Sequence, residues 1–210
     1  MAFQRFCTRR DDRVRRRRQE RRRPFLVEDL EGRQMLSTFT VTSTADSGTG
    51  SLRQAIISSN ATTGPNAIVF KINSTGVQTI NVLSPLPTIT MPVTIDGTTQ
   101  TGYGGTPLVA LDGASAGTSA VGLSLASTAA GSTLKGLAID SFAAGGVLIN
   151  GGSNDVVSAD HIGATPAGTG TSNSGNGAFG VEIEGGATGA TVAGDVIRSE
   201  ERRVGKECVP

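Results

Sequence analysis

Two aspartates stand in matching places near the end of the chain. Asp160 lies in GVLINGGSNDVVSADHI (146–162) and Asp195 in GVEIEGGATGATVAGDVI (180–197). If these segments stack, the two carboxyl groups come together and could hold Ca²⁺ through oxygen ligands. A short polar side chain at a turn also binds neighbouring backbone groups. Leu137 fills the same place one segment earlier, so the expectation is turn structure rather than a metal site. His161 is the single histidine and follows Asp160 directly. Strand alternation counted from Ile162 sends it outward, and no Ser or Cys nucleophile stands in a recognisable context beside it. Glu182 lies between Val181 and Ile183 and therefore points outward, while Glu184 opens the following turn; both read as solvated surface. Tyr103, the single tyrosine, sits in TGYGG, where it can stack on a sugar or cover an edge, and covering an edge is expected. GGSNDVV departs from a Gly-Gly-x-Gly-x-Asp calcium repeat, because Asn154 replaces the later glycine and Asp155 comes one place early. No catalytic, cofactor-binding or metal-ligating residue is assigned. Asp160, Asp195, His161, Glu182 and Tyr103 remain as surface candidates.

The elements that must position these residues repeat. GLSLASTAAGSTLKGLAI (122–139) and the two segments above align on Leu123/Leu125, Val147/Ile149 and Val181/Ile183. The alignment continues through Leu134, Val157 and Val192, and then through Ile139, Ile162 and Ile197. Each segment opens on a glycine (Gly122, Gly146, Gly180) followed by alternating aliphatics, the period of a short strand. Strands this short need neighbours, and stacking successive segments pairs them in parallel with aliphatics inside. The fold class expected is all-β, a parallel β-helix of right-handed sense, the hand that parallel crossovers prefer. AIVFKI, QTINV, PTITMPVTIDG and PLVALDG are earlier strand signals. SLRQAIISSN is the one helical candidate: Ser51 is the N-cap, and Leu52, Ala55, Ile56 and Ser59 share a face. With the strand TFTVTST it caps the first open coil. IGATPAGTGTSNSGNGAF (162–179) is an uncharged insertion, in the kind of loop where binding residues tend to sit.

The charges divide the chain further. Met1–Arg33 carries net +6, Thr38–Ile197 net −6 and Arg198–Pro210 net +1. The boundaries read as a basic disordered tail (1–37), a cap (38–72, helix 51–60), coils (73–197) and a C-terminal tail (198–210). The basic tract lacks interleaved aromatics, so nucleic-acid binding is not expected. RRPFLV (22–27) has the residues of a twin-arginine signal, but charged EDLEGRQ follows where an apolar stretch is required. Cys7 and Cys208 flank the body, and no disulfide can staple it. No apolar run reaches the ~18 residues that span a bilayer. A monomer is expected.

Several stretches carry resemblances. LEGRQMLS (30–37) resembles the Leu-Glu-x-Arg-x-Leu-Leu-Ser element near the start of many exported bacterial surface proteins. RSEERRVGKECVP (198–210) resembles a translated sequencing adapter and reads as a non-native tail, which makes the chain a fragment. FTVTSTADSGTGSLRQAI (39–56) resembles the N-terminal Ser-Leu-Arg-Glu-Ala-Ile element of large bacterial surface proteins with right-handed parallel β-helix repeats, with Gln54 in place of Glu. VTIDGTTQTGYGGTPLVALDG is similar to their next stretch. The resemblance implies an exported structural or adhesin-like protein with extracellular polysaccharide or cell-surface components as partners. A polysaccharide lyase, epimerase or hydrolase is the alternative that the fold class leaves open.

Overall fold

The structure, a computed structural model, describes residues 36–168 and 174–198. The basic segment, most of LEGRQMLS, the middle of the 162–179 insertion and the tail from Ser199 lie outside those residues, as do the expectations placed on them. In chain order the strands begin with β1 (Ser37–Val41), followed by helix α1 (Leu52–Asn60), β2 (Asn66–Phe70), β3 (Gln78–Asn81), β4 (Val93–Asp96) and β5 (Val109–Asp112). Next come β6 (Val121–Ala126), β7 (Thr133–Lys135), β8 (Leu137–Asp140), β9 (Gly145–Asn150) and β10 (Val156–Ser158). The last are β11 (His161–Ile162), β12 (Phe179–Glu184), β13 (Thr191–Ala193) and β14 (Val196–Ile197).

All these strands pair in parallel, in three sheets ordered β1-β2-β4-β7-β10-β13, β3-β5-β8-β11-β14 and β6-β9-β12. From β4 onward the chain visits the three sheets in rotation. We call each circuit a passage. Ile89, bridged in parallel to Leu125, is the forerunner of the third sheet. The segment 38–72, read from sequence as a cap, already supplies β1 and β2 to the first sheet.

Stacking brings like residues together. In the first sheet Phe39, Ile68, Ile95, Leu134, Val157 and Val192 stand in one register. Ile80, Leu111, Ile139, Ile162 and Ile197 do so in the second. In the third, Leu123, Val147 and Val181 align, with Leu125, Ile149 and Ile183 beside them. Ile68, Ile95, Leu134, Ile139, Val147, Ile149 and Val157 are fully buried. Each such side chain contributes roughly 1.5–3 kcal/mol by leaving water.

The glycines that open the repeats are explained by the same packing. A Cβ on Gly122 would strike the Ile139 side chain, on Gly146 that of Ile162, and on Gly180 that of Ile197. The third sheet thus approaches the isoleucine row of the second so closely that only glycine fits between them.

Helix α1 covers β1 and β2 as its pattern predicts, burying Leu52, Ala55, Ile56 and Ser59. The Ser51 hydroxyl accepts from the Gln54 amide at 3.2 Å and donates to the Gly48 carbonyl at 2.7 Å. Ser51→Ala loses both bonds in a buried position, and a destabilisation of about 1–2 kcal/mol is expected by denaturant titration. Arg53 shows why this element carries arginine. Its guanidinium donates to the Asp46 carboxylate (2.7 Å) and to the Ser84 and Pro85 carbonyls (2.8 and 2.7 Å), tying the helix to two loops. Burial works to raise the Asp46 carboxyl, but the bonds from Arg53 and the Leu83 amide, with the Arg53 charge, hold it below the ordinary value.

Candidate functional site

The turn between the first and second sheets is one residue long after β7, where Gly136 takes a left-handed φ of 70°. The same place is taken by Ala159 (φ 57°) and then by Gly194 (φ 77°). The residue after it ladders along the stack. The Leu137 amide donates to Asp160 Oδ1 at 2.7 Å, and the Asp160 amide donates to Asp195 Oδ1 at 2.7 Å. Each aspartate therefore reaches back to the passage before it and caps a backbone N–H, which is the turn role expected from sequence.

Another turn uses the same device. The Val93 amide donates to Ser132 Oγ, and the Ser132 amide donates to Asp155 Oδ1. Asn176 caps the Phe142 amide through Oδ1 and gives its Nδ2 to the Ile139 carbonyl. Gln100 treats both backbone groups of Ile72 in the same way. The amides satisfy both halves of their side chains, but the carboxyls do not: the Oδ2 atoms of Asp155, Asp160 and Asp195 are buried without a partner. Burial pushes the Asp160 carboxyl up to about 7, with the Asp195 charge adding to it against the Leu137 and Ser158 amides. Burial likewise raises Asp155 and Asp195, and His161 opposes the rise at Asp195.

The other sequence candidates do not converge with this pair into a larger site. His161 is half-buried rather than freely exposed, because the insertion folds back over it: Nδ1 lies 3.2 Å from the Thr165 carbonyl, and Gly168 rests against the ring. The insertion is correspondingly anchored at both described ends, with Ala164 and Asn176 fully buried. Glu182 is exposed and points outward beside Leu148. Glu184, placed at a turn by the sequence pattern, is the last residue of β12 and accepts from Asn150 Nδ2 at 3.0 Å. Tyr103 is half-buried in the loop before β5. An open concavity between Lys71, Asn73, Ser74, Thr75, Thr99 and Thr101 brings no second charge to Lys71. Among the described residues no group of three or more His, Cys, Asp or Glu side chains could hold a metal ion. No helix among them is long and apolar enough to cross a membrane.

One pair escaped the sequence reading. Asp112 and Asp140 close β5 and β8 and stand directly in register, on neighbouring strands ~4.8 Å apart. Asp140 is only 8 % exposed. Its carboxyl is raised to about 6, chiefly by burial, against the bond from the Ser141 hydroxyl and with a smaller push from the Asp112 charge. Asp112 accepts from the Ala114 amide at 2.9 Å. A carboxyl that keeps its proton to about pH 6 beside a second carboxyl group can act as a general acid or base. The signal was legible: ALD and AID each end an alternating strand at the repeat spacing.

No protein-family model matches this chain, and no curated protein matches it either.

Proposed function

We propose that the chain is a right-handed parallel β-helix serving as an exported, surface or extracellular structural protein of adhesin-like type. It acts as a monomer that displays loops along a rigid stack to extracellular polysaccharide or cell-surface components. The observation that carries this reading is the use made of the polar side chains. Asp155, Asp160, Asn176 and Gln100 are turned inward to cap backbone groups of neighbouring passages, which is the chemistry of a scaffold. The resemblances in LEGRQMLS and FTVTSTADSGTGSLRQAI support export and surface placement. Fractionation of expressing cells is expected to recover the protein on the surface or in the medium, and recovery only from cytosol would overturn the proposal.

A polysaccharide-active enzyme is the second reading, favoured by the Asp112–Asp140 pair. If it holds, Asp140→Asn lowers turnover of an acidic polysaccharide by at least about 10²-fold, as expected when a general acid or base is lost. Turnover that survives in the Asp112→Asn/Asp140→Asn double variant removes the pair from consideration.

A further inference from the structure

The chain contains two Asn-Gly steps, Asn150–Gly151 and Asn176–Gly177. Such a step can rearrange without an enzyme. The glycine amide nitrogen, which no Cβ shields, loses its proton and attacks the asparagine Cγ. The Cγ–Nδ2 bond breaks, ammonia leaves, and water then opens the cyclic imide to aspartate or isoaspartate. Asparagine is accordingly among the heat-labile residues. Ring closure needs a free glycine N–H and a side chain that can turn toward it, and the fold treats the two steps differently.

Asn176 is fully buried, and both halves of its amide are occupied: Oδ1 accepts from the Phe142 amide and Nδ2 donates to the Ile139 carbonyl. The Gly177 amide donates to the Phe142 carbonyl at 2.8 Å. Asn150, by contrast, is the exposed last residue of β9. The two groups that must meet there are both held by one residue of the next passage. Asn150 Nδ2 donates to Glu184 Oε1 at 3.0 Å, and the Gly151 amide donates to the Glu184 carbonyl at 2.9 Å. Asn150 and Glu184 stand directly in register on paired strands. Gly185 seats the asparagine side chain, since a Cβ there would overlap Asn150 Oδ1.

We propose that Asn150 is a site of spontaneous deamidation gated by Glu184, closed while β12 lies on β9 and open when the Glu184 end of β12 lifts away. Lifting frees the Gly151 N–H and the Asn150 side chain together, so nucleophile and electrophile become available in one local opening. The product blocks the return. A carboxylate at position 150 cannot donate to Glu184 Oε1, and it faces the Glu184 carboxylate across neighbouring strands, where like charges repel. A transient opening is thereby converted into a lasting mark on the chain. The gate stands on this geometry independently of the functional reading above.

Peptide mass spectrometry on the full chain, incubated in mildly alkaline buffer and digested at aspartate, tests it. Conversion at Asn150 should be at least about tenfold slower in the folded chain than in the same chain in urea. Glu184→Ala removes the side-chain bond and should speed conversion at Asn150 at least about threefold while Asn176 stays intact. Glu184→Gln keeps an acceptor oxygen and should match the unsubstituted chain. Equal rates in the folded chain and in urea, or no acceleration in Glu184→Ala, would overturn the gate. So would conversion at Asn176 rising in step with Asn150, because that reports unfolding of the passage rather than release at Glu184. The comparison with urea uses the unsubstituted chain and gives an answer even if Glu184→Ala fails to fold. Asn150→Asp checks the blocked return: amide hydrogen exchange across 179–184 should quicken at least about threefold while 37–41 stays within about twofold, and unchanged exchange in 179–184 would refute it.

Discussion

Gly146→Ala is expected to lower stability by about 3 kcal/mol or more and the melting temperature by roughly 5–12 °C. A Cβ at this position would overlap Ile162 Cγ2, lie 2.6 Å from the Gly180 carbonyl oxygen and 2.7 Å from Asn176 Nδ2. None of these neighbours can yield cheaply. Ile162 is fully buried in the core row, the Gly180 carbonyl belongs to the paired strand β12, and Asn176 is held by Phe142 and Ile139. Gly104→Ala is the control, since nothing lies within 4 Å of a Cβ there. It should leave the melting temperature within about 2 °C. Paired thermal melts decide the matter. Equal melting temperatures for the two variants would show that the close approach of the second and third sheets does not govern packing.

The second large effect is a fall in global stability as pH rises from about 4 to about 7. Asp140 and Asp160 are raised from the ordinary 3.8 to about 6 and about 7. In that window the folded chain binds more protons than the unfolded chain, so the slope of unfolding free energy against pH is negative and stability is lost on the alkaline side. The rise at Asp160 corresponds to on the order of 4 kcal/mol and that at Asp140 to on the order of 3 kcal/mol. Asp155 and Asp195 shift in the same direction. Asp46, held below its ordinary value, acts oppositely and contributes stability that disappears as pH falls below about 4. Denaturant titrations from about pH 4 to 8 should therefore show highest stability in mild acid. Asp140→Asn should flatten part of the decline and stabilise the protein above about pH 6. A profile that rises toward pH 7, or one unchanged by Asp140→Asn, would contradict the burial of these carboxyls.

The repeats themselves determined much of this protein. Aliphatics recurring at Leu134, Val157 and Val192, and at Ile139, Ile162 and Ile197, specified short strands, their parallel pairing and their register. A one-residue slip would turn a buried row to solvent, so the pattern left little freedom. Ser51 and the face Leu52, Ala55, Ile56 and Ser59 were equally legible, because capping and helical periodicity are local.

What depended on neighbours distant in sequence was decided only by the tertiary structure. Gly122, Gly146 and Gly180 were visible as markers of the repeat, but the isoleucine that each must admit comes from another sheet. His161 was assigned outward by alternation, yet the returning insertion half-buries it. Asp112 and Asp140 ended strands in plain view, but their mutual approach and the burial of Asp140 arise only when passages stack. Periodicity reports which side of a strand a residue faces. The company it keeps there depends on how far each loop returns, and uncharged loops such as 162–179 carry no periodic signal to say so.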